Sequence, residues 1–318
     1  MPIDNNKKDP NALPGRECRV PDDVTNLDAA DAGAVPVVGV GGGSGGLSAL
    51  LGVLDQLPVD SPFAIVAVLE MPARDDDSAA AVLARSSALP VVQVTGEAAL
   101  EPGRVYLVPP RHEPEIVDGR LRTGRRAASG YSIDRFFRSL ADACQSRAIA
   151  VVLSGGDSDG ALGLARVREQ GGVTVAQSPL DADHGAMPRA AIAAGSVDFV
   201  LPTADIARRL LELGASAGRR SGAKGADSAG ADDEPADDPT ALADIMSILR
   251  MRTRHDFSHY KPATVLRRIG RRMHLNGVAD LASYRDFLRG HAEETAPLMQ
   301  DLLIGVTRFF RDPAAMRS

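Results

Sequence analysis

Two cysteines in 318 residues are too few for a disulfide framework. Cys18 lies in a polar leader and Cys144 in a helical run, where it reads as a small core filler, so a reducing compartment is expected. No stretch approaches the ~18 uninterrupted apolar residues of a membrane-spanning helix, and the opening "MPIDNNKKDPNALPGRECRV" has no apolar signal core. A cytoplasmic chain without membrane insertion is therefore expected. Aromatic residues make up only 4%, and the formal net charge is -6, a poor match to nucleic acid. That charge is unevenly placed: residues 239–318 carry 13 Lys and Arg against 8 Asp and Glu, or +5, leaving -11 for the rest. The two parts have different partners or different jobs.

What is present divides into four pieces. Residues 1–34 are rich in Asp, Asn and Pro with little apolar periodicity, and read as a disordered leader. Residues 215–240, "ASAGRRSGAKGADSAGADDEPADDPT", read as a flexible linker. Between them, over 35–214, apolar runs ("VPVVGV", "FAIVAVL", "PVVQV", "RVYLVP", "AIAVVLS", "GVTVAQ", "VDFVLP") alternate with helical patterns. Several runs are continuous, as strands buried on both faces of a parallel sheet should be, which predicts a doubly wound α/β fold. The last helix of this part is predicted to start with Thr203 as N-cap and to stop before Gly214. Residues 241–318 show only helical periodicity, with Gly277, Gly290 and Gly305 where helices should stop, and are predicted to form a small all-α domain.

In open sheets of this type, ligands sit beyond the carboxyl ends of the strands. The first such end, "GVGGGSGG" (39–46), fits two chemistries. Gly42-Gly-Ser44-Gly-Gly46 matches a Gly-x-Ser-x-Gly nucleophile turn, whereas Gly41-x-Gly43-x-x-Gly46, with Glu70 at the next strand end, matches a dinucleotide fingerprint. A run of glycine satisfies many spacings by chance.

The other blocks separate these readings. The Gly-Gly-Leu opening the first helix, "IDRFF", "VVLSG" followed by Ser-Asp-Gly, and "MPRAAI" occur in order, and the segment from about 35 to 213 resembles the methylesterase domain of the CheB family, which demethylates glutamates of chemotaxis receptors. The resemblance implies a serine nucleophile, a histidine base and an aspartate that orients it. Aligning Gly45, Gly46 and Leu47 on the family's Gly-Gly-Leu places Gly43 at the nucleophile position and Glu70 at the histidine; Asp159 alone matches the triad. Using Ser44 instead moves the side chain by about 100° around a helix start, where a serine more naturally caps. Glu70 would also be a poor base, since a carboxylate near pKa 4.3 hardly deprotonates a hydroxyl. His112 and His184 fall in predicted loops and read as surface residues, and Asp159, without a histidine to orient, reduces to a turn residue holding its loop. The expected outcome is an esterase fold with its activity lost; the alternatives are an active esterase using Ser44 and a nucleotide-binding module.

In "HDFSHYKPATVLRRIGRRMHLNG", Lys261 and Pro262 mark a helix entrance, and Arg267, Arg268, Arg271 and Arg272 form a positive stripe that needs something acidic to meet it. This stretch and "DLLIGVTRFFRDP" resemble the amino-terminal helical domain of the CheR family of receptor methyltransferases. The resemblance implies that Arg268, Arg271 and Arg272 face the cytoplasmic helices of methyl-accepting chemoreceptors. It also implies that Thr307 and Arg311 lie near the S-adenosylmethionine and substrate site; the family's Asn there is Gly305 in this chain. The sequence stops at 318, before the donor-binding domain of that family, so methyl transfer by this chain alone is not expected. No metal site is expected, and no cofactor is assigned to the chain. As a whole it resembles the front of a CheB/CheR fusion lacking a receiver domain.

Overall fold

The computed structural model describes residues 35–70, 76–110, 112–125, 132–222, 239–257 and 260–303. The expected leader, and residues 223–238 of the expected linker, lie outside them. In the first part the strands are β1 (Val37–Gly42), β2 (Ala64–Leu69), β3 (Val91–Gln93), β4 (Glu97–Ala99), β5 (Val105–Val108), β6 (His112–Val117), β7 (Arg120–Arg125), β8 (Ala148–Val152), β9 (Val173–Gln177) and β10 (Phe199–Leu201). The helices are α1 (Gly46–Leu54), α2 (Asp76–Ser86), α3 (Ser132–Cys144), α4 (Ala161–Glu169), α5 (Ala186–Ala193) and α6 (Thr203–Gly222).

Seven strands form one parallel sheet in the order β10-β9-β8-β1-β2-β5-β3. All residues of β1, β2 and β8 are buried, which is why their sequences run apolar without alternation. Alternate residues point to opposite layers: Val38, Val40, Ile65 and Val151 pack with α1, α2 and α6, whereas Val37, Val66, Ala150 and Val152 pack with α3, α4 and α5. This is the doubly wound α/β architecture.

The sequence did not predict the small antiparallel sheet β4-β7-β6. Its apolar face rests on three buried residues, Pro114, Ile116 and Leu121, and charged residues fill half of the rest, so alternation is too weak to read. Also unpredicted was α5, a short helix that carries Pro188 in its first turn, where a missing N–H is tolerated.

Two expectations about α6 are corrected. The helix does not stop before Gly214 but continues to Gly222. Gly214 lies where a methyl group would come within 2.7 Å of Pro62 Cγ and 2.9 Å of the Phe63 ring, so this glycine permits close packing rather than ending the helix. Nor does Thr203 cap from its own hydroxyl: Asp181 accepts both the Thr203 N–H (2.8 Å) and its hydroxyl, and these bonds hold the Asp181 carboxyl below the usual range.

The second part is helical: α7 (Pro239–Thr253), α8 (Pro262–Leu275), α9 (Leu281–Gly290) and α10 (Thr295–Leu303), with short 3₁₀ turns elsewhere. Its core gathers Ile245, Leu249, Phe257, Ile269, Tyr284, Leu288 and Leu298. Lys261 is the N-cap and Pro262 the first residue of α8, and Gly277 (φ +68°) follows its end as predicted. Gly290 ends α9, and Gly305 lies outside the described residues. Among the described residues no helix is long and apolar enough to cross a membrane.

Candidate functional site

Strand order reverses at β1: the chain moves outward through β2 and later returns to lay β8 on the other side of β1. The carboxyl ends of β1, β2 and β8 therefore border the crevice where ligands of such sheets bind.

At the β1 end the turn is closed by the protein itself. The Gly43 N–H donates to the Ser154 carbonyl (2.8 Å), and the Gly43 carbonyl accepts from the Gly46 N–H (2.8 Å). Gly43 is buried and carries no hydroxyl; a methyl group there would lie 3.2 Å from Gly155 Cα and 3.6 Å from Met187 Cε. Ser44 is exposed, but it does not cap α1 as expected. Gly45, in the left-handed region at φ +79°, is the N-cap, and no side chain bonds the first turn. Glycine is needed at that φ, and it displaces serine from the capping position.

The same geometry bears on the dinucleotide reading. A methyl group on Gly41 would sit 2.3 Å from Ile133 Cγ2, so this glycine admits helix α3 against the sheet rather than a pyrophosphate. A methyl group on Gly45 would meet Ser154 Oγ at 2.5 Å and Asp183 Oδ2 at 3.1 Å. A carboxylate thus stands over the helix start where a phosphate would have to approach.

Glu70, at the β2 end, accepts a hydrogen bond from the buried Ser132 hydroxyl (3.2 Å). Asp159, in the turn before α4, is 3% exposed, and its two carboxylate oxygens accept the Ile133 and Asp134 N–H groups at the start of α3 (2.9 Å each). It also accepts its neighbour Gly160's N–H (2.8 Å). Asp159 therefore caps a helix. His184 is exposed in the turn before α5, and its backbone N–H donates to Ser154 Oγ, which donates in turn to the Ser44 carbonyl (2.8 Å). His112 is not in a loop but begins β6.

The structure thus brings the Gly43, Ser44, Glu70 and Asp159 positions to one sheet end and adds Ser132, Ser154, Asp183 and Met187, which sequence reasoning missed. Ser132 stands just before "IDRFF", and Ser154 and Met187 lie inside "VVLSG" and "MPRAAI", blocks already singled out. Glycine stands at the Gly43 position and a carboxylate at the Glu70 position, so no hydroxyl and ring nitrogen face each other at these two positions. Cys144 supplies no substitute: it is buried in the α3 layer, and burial pushes its thiol up to about 12. Among the described residues no group of three or more His, Cys, Asp or Glu could hold a metal ion.

The arginine stripe of α8 is corrected. Arg268 and Arg271 are 3% and 1% exposed, and Arg272 is half-buried. The acidic groups that meet them belong to this chain: Arg271 pairs with Asp198 and Asp301, and Arg272 makes a two-pronged pair with Glu294 (2.7 and 2.6 Å). Arg268 donates to the Arg168 carbonyl (2.8 Å), and burial, with Arg267 nearby, pushes it down to about 10. Thr307 and Arg311 lie outside the described residues.

Comparisons with known proteins agree with this architecture. Residues 38–210 match the family model described as CheB methylesterase, and residues 240–303 match that described as CheR methyltransferase, all-alpha domain. An uncharacterized 104.1 kDa protein of Rhodobacter capsulatus is 42% identical over 256 residues, covering 74% of this chain and 26% of that protein. A protein-glutamate methylesterase/protein-glutamine glutaminase of Anaeromyxobacter dehalogenans is 36% identical over 198 residues, covering 59% of this chain and 57% of its own length. The chain thus spans about a quarter of the first relative and a little over half of the second. The crystal structure of the Thermotoga maritima CheB methylesterase catalytic domain superposes with a TM-score of 0.53 at 28% identity, covering 56% of this chain and 98% of that one.

Proposed function

The chain belongs to the CheB methylesterase family, with a CheR methyltransferase all-alpha domain behind the esterase fold, and from that membership we propose a chemosensory receptor-modification protein that has lost ester hydrolysis and acts by binding. The partner proposed is the acidic, glutamate-bearing cytoplasmic helices of methyl-accepting chemoreceptors.

One observation supports the loss of chemistry: the β1 turn presents the buried backbone of Gly43 where the family pattern requires a hydroxyl. The supporting groups have other work, since Glu70 meets Ser132 and Asp159 holds the start of α3. Without an attacking atom and its base, such a site retains at most about 10³ to 10⁴ over water from binding and oxyanion donors.

Methanol release from methylated receptor tests the proposal. Wild type is expected to match the Ser44→Ala variant at background. Release by wild type that Ser44→Ala abolishes would instead establish the active esterase reading.

A further inference from the structure

The junction between the α/β part and the helical part is built around a closed ring of four charges, three of them with buried side chains and the fourth, Arg168, 19% exposed. Arg168 and Asp198 come from the first part, Arg271 and Asp301 from the second. Arg271 bonds Asp198 across the junction and Asp301 within its own part; Arg168 bonds Asp301 across it (3.0 Å) and lies 3.8 Å from Asp198. The Asp301 and Arg271 side chains are 0% exposed and Asp198 is 6%. Two positive and two negative groups alternate, so each charge has one partner in its own part and one across the junction. Separating them leaves each with an arginine and an aspartate that lack their cross-partners, which is costly for buried ions.

Around the ring, α8 meets the carbonyl end of α4. Arg271 Nε donates to the Gly172 carbonyl (3.1 Å), Arg268 to the Arg168 carbonyl, and Arg267 to the Gln170 side chain (3.3 Å). Cations there complement the negative end of the helix dipole. Leu275, the last residue of α8, packs into the apolar layer of the α/β part, and its carbonyl accepts from Arg209, which stacks on Phe199 at 4.0 Å.

Beside the ring, Arg268 is incompletely matched. It is 3% exposed, its Nε finds no acceptor among the described residues, and it bonds a carbonyl rather than a carboxylate. A charge-assisted bond from arginine to carboxylate is stronger than one to a neutral carbonyl. A surface that offered carboxylates along α8 would satisfy Arg268 better than the α/β part does.

We propose that the arginine face of α8 is a latch: the α/β part occupies it as an internal acidic partner, and a carboxylate-bearing helix from outside competes for the same arginines. The inference rests on the reading that this chain binds acidic receptor helices, and it adds the regulation of that binding. Because the internal partner is tethered, its effective concentration is on the order of millimolar, so the closed form dominates and the apparent affinity for an outside helix falls by the fraction that is open.

The test uses the full chain with the α8 arginines intact. Asp198→Asn removes one cross-junction charge; Leu275→Ala removes the apolar anchor without touching charge. Hydrogen exchange of α8 and the affinity for a synthetic glutamate-rich helical peptide are measured in wild type and both variants, with exchange in α3 reporting that the α/β part stays folded. The expected result is fast exchange in α8 with α3 still protected, and about tenfold or greater gain in peptide affinity in both variants. Unchanged α8 protection in both variants overturns the latch alone. Opening of α8 with no gain in affinity overturns both the latch and the acidic-helix reading on which it rests.

Discussion

Asp159 and Asp134 cap each other's helices. Asp159, in the turn leading into α4, accepts the Ile133 and Asp134 N–H groups at the start of α3; Asp134, in the first turn of α3, accepts the Gly163 N–H in the first turn of α4 (2.6 Å). The two helix starts are thereby tied into one unit on the sheet face that carries the candidate site. Asp159→Ala removes a cap and takes the acceptor from three buried N–H groups, those of Ile133, Asp134 and Gly160, so a loss of about 2 to 4 kcal/mol in urea unfolding is expected. A neutral effect would mean that the aspartate is held for something other than structure.

The same pair makes stability depend on pH. Burial, with the Asp159 charge adding, holds the Asp134 carboxyl above the usual range against the Gly163 N–H, which favours its ionised form. A carboxyl whose folded pKa exceeds its unfolded one binds more protons in the folded state. Its contribution is therefore fully present below the unfolded value and is lost as pH rises through the folded one. Asp134→Asn, which keeps an oxygen for Gly163, is expected to flatten that part of the profile and to be more stable than wild type at neutral pH. Denaturation midpoints measured from pH 3 upward, in steps, check it.

Much of this arrangement was legible and some was not, for identifiable reasons. Val37 to Gly42 and Ala148 to Val152 read as strands because both faces are buried, a condition that composition reports directly. Gly214 looked like a helix stop because a glycine that admits Phe63 is indistinguishable in one dimension from one that ends a helix. The stripe from Arg267 to Arg272 announced a need for acidic partners. It could not say that Asp198 would be one of them, because that contact spans 73 residues of chain. Likewise, an aspartate before glycine suggests a turn, but only the fold brings the α3 N-terminus to Asp159.

Gly41 discriminates between packing and phosphate binding. Gly41→Ala drives a methyl group into Ile133 and is expected to cost about 1 to 3 kcal/mol. NAD is expected to leave the melting temperature of wild type unchanged, and a nucleotide-dependent rise would revive the dinucleotide reading.

Restoring the missing pair should restore chemistry. A serine at position 43 requires Gly155 to give by a few tenths of an ångström, since the added Cβ lies 3.2 Å from its Cα. Gly43→Ser alone is expected to remain near background. Combined with Glu70→His it should release methanol from methylated receptor about 10² faster than either single variant, the lower range of a positioned general base. Equal activity of the single and double variants would show that position 70 does not face the nucleophile.

The most direct measurement is active-site titration of the wild-type chain with a fluorophosphonate, read by intact mass and peptide mapping. The expected result is no stoichiometric adduct on any serine of the turn from Gly39 to Gly46. One equivalent of label on Ser44 would contradict the account.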